Sequence, residues 1–180
     1  MNYSVETFLG YLNKRGGPSH SNRYYVELAF PEGLNPTPNA SELNLICSSA
    51  VMPGHVIMTA EKTALSNPIK VPYSFGTEEA EFVFLLDGRY KAMEAFNAWS
   101  EKIINTKTHE VAYKKEIVAG KWTIWQLNTN NEKTAGIAIY NVFLTQIGKV
   151  DFSDAAHNQL QSLSISVTYD RRETVKPDFT

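Results

Sequence analysis

The residues of this sequence that could bind a metal or activate a water molecule do not complete a site. His109 and Glu110 begin a pattern in which two histidines four residues apart bind zinc and the glutamate acts as a general base. Tyr113 stands where the second histidine is required, so the pattern is broken. The four histidines are His20, His55, His109 and His157, and no pair of them has the spacing of metal ligands. We therefore predict no metal site, no catalytic residue and no bound cofactor.

Cys47 is the only cysteine of the sequence, so an internal disulfide is impossible. A chain of this kind is typical of synthesis in a reducing compartment. Its neighbours Leu45 and Ile46 are apolar, whereas a reactive thiol needs an exposed and electropositive setting. We expect a buried and unreactive thiol.

The densest group of carboxylates is formed by Glu78, Glu79 and Glu81. Glu79 and Glu81 would share one face of a strand, as a pair of catalytic acids could. Catalytic carboxylates, however, usually come from separate elements that flank a cleft. We interpret these residues as a strand edge that faces solvent or a channel.

A row of small hydroxyl side chains marks the last predicted strand. Ser162, Ser164, Ser166 and Thr168 alternate there with Leu163, Ile165, Val167 and Tyr169. One interpretation is the ordinary solvent face of an antiparallel sheet. The other is the wall of a channel through which a polymer slides, because clustered Lys or Arg would hold a nucleic acid and small polar groups would not.

Composition and charge exclude several classes of protein. The chain has 180 residues, with 19 acidic and 17 basic side chains and a formal net charge of −2. It has no basic cluster of the kind that binds nucleic acid. No apolar run approaches the roughly 18 residues of a membrane span, and the first residues do not resemble a secretory signal. We expect one domain that does not bind a membrane.

Periodicity predicts two helices and seven or eight strands. The helices are Ser4–Arg15 and Tyr90–Asn105, and the clearest strands are Arg23–Phe30, Glu79–Leu86, Trp122–Leu127, Thr134–Leu144 and Leu160–Asp170. Glu42–Met52 and His55–Glu61 alternate on either side of Pro53-Gly54, which predicts a β-hairpin. The expected fold is mainly β with flanking α: two packed antiparallel sheets, a β-sandwich or barrel, with a helix at the side. We expect a single domain over 1–180, with an N-terminal helix at 4–15 and a C-terminal tail at 171–180.

Four segments of the chain, taken in order, resemble the tail-tube proteins of contractile-tailed bacteriophages. Asn22–Leu28 resembles the opening strand of that family, and Leu45–Gly54 its second strand and Pro-Gly turn. Phe82-Val83-Phe84 precedes an aromatic-rich helix in both. The fourth and most informative segment is Tyr140–Glu173, where Phe143-Leu144-Thr145-Gln146-Ile147-Gly148 leads to an alternating strand.

The resemblance implies a structural virion protein. Its subunits would form hexameric rings that stack into the tail tube, the conduit for DNA ejection, and it would not be an enzyme. Partners would be further copies of the chain, the tail sheath protein, and baseplate and tail-terminator proteins, with DNA only passing through the lumen. It would be made in the host bacterial cytoplasm and would reside in the virion tail.

Two groups of residues receive roles from this resemblance. The turn of the predicted hairpin is the candidate contact between subunits: Val51, Met52, Pro53, Gly54, His55 and Val56. The candidate lumen-facing residues are Glu79, Glu81, Ser162, Ser164, Ser166 and Thr168. Three alternatives remain: a baseplate tube-initiator protein of the same fold, a lipocalin-like β-barrel that binds a small ligand, and, least favoured, a hydrolase on a β scaffold.

Overall fold

The computed structural model describes residues 4–14, 16–35, 37–64, 67–153 and 159–177. Within them the helices are α1 (Val5–Lys14), α2 (Ala40–Ile46), α3 (Lys91–Ile103) and α4 (Lys114–Ile117). The strands are β1 (Tyr24–Glu27), β2 (Cys47–Ala50), β3 (Val56–Ala64), β4 (Asn67–Gly76), β5 (Ala80–Leu85), β6 (Ala119–Leu127), β7 (Lys133–Ile147), β8 (Ser162–Thr168) and β9 (Arg171–Val175). The prediction of a mainly β fold with flanking helices is confirmed.

Strand β7 joins two antiparallel layers into one seven-stranded sheet. The strand order is β1-β6-β7-β8-β5-β2, and β9 also pairs with β7. The first part of β7 pairs with β6 and β9, whereas its last residues, from Phe143 to Ile147, pair with β8. The layers pack face to face, since the rings of Phe82 on β5 and Trp122 on β6 lie 5.1 Å apart. This is the predicted pair of packed sheets.

The core between the layers is filled by aromatic side chains, and α3 closes its side. Phe96 and Trp99 of α3 are fully buried, as the helical period predicts. The ring of Trp99 lies 5.9 Å from that of Trp122. The buried indole N–H of Trp99 donates to the carbonyl of Ile117 at 2.8 Å, so its burial leaves no polar group unpaired.

The predicted hairpin of Glu42–Met52 with His55–Glu61 is wrong. Residues 40–46 form helix α2, β2 pairs with β5, and β3 pairs with β4. The alternation of Leu43 and Leu45 suggested a strand, yet Leu43 is 5% exposed and Leu45 is 82% exposed. A strand would have placed both on one face, so the apparent period of two was accidental.

Both chain ends differ in part from expectation. The predicted N-terminal helix is present as α1, and the hydroxyl of Ser4 caps it by accepting the Thr7 N–H at 3.1 Å. The tail expected from residue 171 is wrong for 171–175, because these residues form β9 along β7. Arg15, His157 and residues 178–180 lie outside the described residues.

The helices of the described chain are also short for a lipid bilayer: none has the length and apolar character needed to cross one.

Candidate assembly surfaces

The side chains that could bind a metal or act in catalysis are scattered in the structure. The described chain contains no group of three or more His, Cys, Asp and Glu side chains placed to hold a metal. His109 is exposed in a loop at φ 57°, and Glu110 accepts a hydrogen bond from the hydroxyl of Thr108. Burial raises the pKa of the Cys47 thiol to about 11. At neutral pH this thiol is therefore protonated and a weak nucleophile.

The polar face predicted on the last strand extends over two strands. Glu81 of β5 lies opposite Ser166 of β8, with Val83 opposite Ser164 and Leu85 opposite Ser162. Glu81, Ser162 and Ser164 are exposed, whereas Ser166 is half-buried. Thr168 continues the row on β8, half-buried, and Glu79 lies exposed just before β5 begins. The structure thus gathers the six lumen candidates at one face, although Val83 and Leu85 make that face partly apolar.

Gly148 approaches this face closely. Its N–H donates to the carbonyl of Ser164 at 2.7 Å. A Cβ at position 148 would lie 2.0 Å from Ser164 Oγ and 2.9 Å from its carbonyl oxygen. Only glycine fits at that distance, so the Ile-Gly pair of the sequence pattern has a steric reason.

The predicted contact segment, residues 51–56, is a connection rather than a hairpin turn. Its backbone is fixed to the start of β5, because Val51 N–H donates to the Glu81 carbonyl at 2.9 Å and Gly54 N–H to Glu78 Oε2 at 3.2 Å. Pro53 is buried, whereas Val51, Met52 and Val56 are 49%, 37% and 39% exposed. His55 is exposed and its ring lies against that of Phe75, with centroids 5.8 Å apart and the ring planes tilted by 51°. A held backbone with exposed apolar side chains is suited to contact with another chain.

Beyond this segment, β3 and β4 form a separate two-stranded sheet, here called the projecting hairpin (Val56–Ala64 and Asn67–Gly76). Its strands pair with each other and not with the seven-stranded sheet. Ile57 lies opposite Phe75 near the base, and with Tyr73 these side chains are 59%, 72% and 67% exposed. The sequence interpretation missed this surface because it ended β3 at Glu61. The signal was present in the alternating residues of 69–75.

Helix α1 shows a second unpartnered apolar surface. Val5, Phe8 and Leu9 are 74%, 61% and 51% exposed, Leu12 is half-buried, and no residue of the helix is buried. These four residues follow the i, i+3, i+4, i+7 spacing of one helical face. An apolar face of this kind is normally covered.

A groove of about 530 Å³ lies between α2 and α3. Its apolar lining includes Leu43, Leu45 and Ile46 of α2 and the small residues Ala92 and Ala95 of α3. Its charged lining consists of Glu42, Asp87, Lys91 and Glu94. Sequence reasoning did not identify it, because the groove exists only where the two helices meet.

The layer formed by β1, β6 and β7 carries a compact network around Glu27 on the face that points away from the core. The indole N–H of Trp125 donates to Glu27 Oε2 at 3.0 Å, and Lys133 forms an ion pair with the same carboxylate. Burial raises the pKa of Glu27, but the hydrogen bonds from Lys133 and Trp125 outweigh it and leave the pKa below its ordinary value. The network ties β1, β6 and β7 together on this face.

Comparison with known proteins gives one family and several similar structures. The model of a family described as phage tail tube protein matches residues 19–174. The anti-feeding prophage cap (AFP tube terminating cap) is 17% identical at a TM-score of 0.62, with 89% of this chain and 92% of that chain covered. A chain of the PVC sheath-tube complex, from an extracellular contractile injection system in its extended state, is 14% identical at a TM-score of 0.59, with 98% and 100% covered. A chain of the anti-feeding prophage baseplate is 10% identical at a TM-score of 0.62, with 90% and 98% covered. At these identities the structures show a shared fold, and no curated protein matches the sequence.

Proposed function

The chain belongs to the phage tail tube protein family, and from that membership we propose that it is the tube subunit of a contractile tail. In this role the chain acts as one domain, and six copies form a ring. The rings stack into a hollow tube inside a sheath, between a baseplate and a terminator, and DNA passes through the lumen during ejection. The role needs no catalytic step and no cofactor, and it places the protein in the virion tail after synthesis in the host cytoplasm.

The projecting hairpin is the observation that carries this proposal. An isolated two-stranded hairpin is at best marginally stable in water. This hairpin does not pair with the seven-stranded sheet, and it exposes Ile57, Tyr73 and Phe75. Covering these side chains with another copy would remove their apolar surface from water. Val56, where the hairpin begins, and the preceding residues would extend the same contact between subunits; these preceding residues are Val51, Met52, Pro53, Gly54 and His55.

The two edges of the large sheet support a closed ring. In the strand order, β1 and β2 lie at the two ends, and each pairs with only one other described strand. Exposed edges are prone to uncontrolled pairing, and closure into a ring removes them.

We further propose that the face of Glu81, Ser162, Ser164, Ser166 and Thr168, with Glu79, lines the lumen. It offers small hydroxyls and carboxylates without a lysine or arginine among these positions. Such a wall would not hold the DNA backbone by neutralising phosphates, so the polymer could slide.

The two ends of the tube provide the alternative role. The folds of a baseplate chain and of a tube terminating cap are both similar to this chain, and a tube initiator remains the second candidate. A lipocalin-like barrel is disfavoured, because Phe82, Trp99 and Trp122 fill the interior where a ligand would lie.

The test is electron microscopy of the purified protein beside size-exclusion chromatography with light scattering. We expect rings or stacked hollow tubes, with each contact burying more than about 2,000 Å². Phe75→Ser should abolish stacking or ring formation, whereas Lys62→Ser, on the charged part of the same hairpin, should not. A wild-type chain that stays at the mass of one subunit at high concentration would contradict the main-tube role. Rings that do not stack would favour an initiator.

A further inference from the structure

Helix α1 has the form of a segment that docks into a groove. Val5, Phe8, Leu9 and Leu12 provide anchors at i, i+3, i+4 and i+7, the spacing by which amphipathic helices bind apolar grooves. The first three are more than half exposed. The helix also precedes residues 19–174, the part that matches the family model, so its role is not set by that match.

The groove between α2 and α3 has the complementary form. Ala92 and Ala95 of α3 are small, which leaves a depression beside the larger Leu43 and Ile46 of α2. Its volume of about 530 Å³ is within the range of roughly 300–1,000 Å³ found for sites that enclose apolar groups. Leu45 stands at this groove 82% exposed. Leu43, Ala92 and Ala95 are buried and form the floor of the groove, so Leu45 is the side chain that a helix face would cover.

The charges of the two surfaces are also complementary. The groove is bordered by three acidic residues, Glu42, Asp87 and Glu94, and one basic residue, Lys91. Helix α1 ends in Lys14, and Arg15 follows it in the sequence. Lys14 at the end of α1 would meet the acidic border, which favours this groove over the uncharged apolar face of the projecting hairpin.

We propose that α1 of one copy docks into the α2–α3 groove of a neighbouring copy in the ring. This inference rests on the proposed function, since it specifies how neighbouring subunits are joined. Two different surfaces of one chain that bind each other form a heterologous contact, and such contacts close into rings when the rotation permits. One helix per subunit would thus link every copy to the next.

Disulfide trapping between two different variants tests the contact directly. Both chains carry Cys47→Ser; one also carries Phe8→Cys and a mass tag, and the other carries Leu45→Cys. Mild oxidation of the mixture should give a covalent pair of one tagged and one untagged chain. Because a disulfide requires Cβ atoms about 4 Å apart, Thr7→Cys on the opposite helix face should yield at least about tenfold less.

Other trapping results would overturn the inference. A single chain that carries both Phe8→Cys and Leu45→Cys and closes an internal disulfide at high dilution would show that α1 docks on its own subunit. Tagged chains that link only to each other would show pairing of α1 with α1. The absence of any link to Leu45→Cys would remove the groove as the site.

Assembly gives a second and independent measurement. Phe8→Ser should weaken association by about 30-fold, as expected for loss of a central anchor, whereas Thr7→Ser should not weaken it. Lys14→Glu should weaken association, and Glu42→Lys in the same protein should restore part of the loss. Lys14 and Glu42 are both exposed, so circular dichroism should show that these two substitutions leave the fold unchanged.

The outcomes separate this inference from the tube role. Wild-type tubes without the mixed disulfide, and with normal assembly of Phe8→Ser, would overturn the α1 contact and leave the proposed function intact. A mixed disulfide in a protein that forms no ring would support the contact and contradict the tube subunit. A monomer that forms no mixed disulfide would contradict both.

Discussion

The indole of Trp125 lies against the backbone of Gly136, its partner across the β6–β7 pair. A Cβ at position 136 would lie 2.5 Å from Trp125 Cε3 and 2.9 Å from Cζ3. The ring cannot move away freely, because its N–H is bonded to Glu27 and Lys133 Nζ lies 4.9 Å from its centre. Because Gly136 has no side chain, it leaves the space into which the ring of Trp125 packs.

We expect Gly136→Ala to lower the free energy of unfolding by about 1–3 kcal/mol, the usual cost of overpacking. Urea unfolding followed by tryptophan fluorescence measures it. Gly120→Ala is the matched control on the same strand pair, since a Cβ there meets nothing within 4 Å. Equal stability of the two variants would show that Trp125 is not held in this position.

The second prediction concerns Gly148, which lies against Ser164 on the proposed lumen face. Gly148→Ala should lower stability by about 1–3 kcal/mol, because the added carbon would overlap the backbone oxygen of Ser164 as well as its hydroxyl. Gly88→Ala, with open space around it, should change stability little. Thermal unfolding of both variants provides the measurement, and a stable Gly148→Ala would mean that this end of β7 shifts easily.

The third prediction is an acid dependence carried by Glu27. Its pKa is lowered in the folded protein from the ordinary value of 4.5, so its stabilising contribution is present above pH 4.5 and is lost as the pH falls through the lowered value. Glu27→Gln keeps an acceptor for Trp125 but cannot titrate. The difference in unfolding free energy between the wild type and Glu27→Gln should therefore shrink below about pH 4.5. A difference that stays constant from pH 7 to pH 3 would contradict the role of Glu27 charge.

The fourth prediction follows from the raised pKa of Cys47, at about 11 in the folded protein against 9.0 ordinarily. Near pH 8 the thiolate fraction should be about 100-fold lower than in the unfolded chain, and alkylation should slow to match. By linkage, the contribution of Cys47 to the free energy of unfolding is fully present below pH 9. It decreases as the pH rises from 9 towards 11, because the thiol of the unfolded chain loses its proton first. Alkylation with iodoacetamide in and out of urea measures the first effect, and equal rates would mean that the thiol is accessible and normally acidic.

The fifth prediction tests the proposed lumen face in assembled tubes. Ser162→Arg with Glu81→Arg should make the tubes retain short DNA, with affinity that falls steeply as salt rises. If the face lines the lumen, the retained DNA should resist nuclease. Asn97→Arg with Glu101→Arg adds two arginines to exposed positions of α3 and serves as the control. Nuclease-sensitive DNA on the first variant would place the serine face outside the tube.

Local periodicity was sufficient to predict which side chains are buried where an element packs one face on the core. The alternation of β5 and β8 and the stripe of α3 were read correctly, since Phe82, Phe84, Leu163, Ile165 and Trp99 are all buried as their spacing requires. The family resemblance was also readable, because it rests on short patterns such as Ile147-Gly148. The steric reason for the glycine of this pair, its close approach to Ser164 of β8, appears only in the folded chain.

The pairing of the strands could not be predicted from the sequence in the same way. The residues after Pro53-Gly54 alternate as a strand should, but alternation does not name a partner, and β3 pairs forward with β4 rather than back with residues 42–52. Likewise, Arg171–Val175 has little apolar character and becomes a strand only because β7 offers an open edge. The contact role of residues 51–56 and the lumen role of the serine face remain predictions.

By itself, the sequence determined the β-rich class, the two sides of its amphipathic elements and the family, because all three depend on residue order within short segments. Only the tertiary structure decided that Leu45, Phe8 and Phe75 are left uncovered. Exposure depends on which distant segments arrive to cover a side chain, and that is a property of the folded chain rather than of any local pattern.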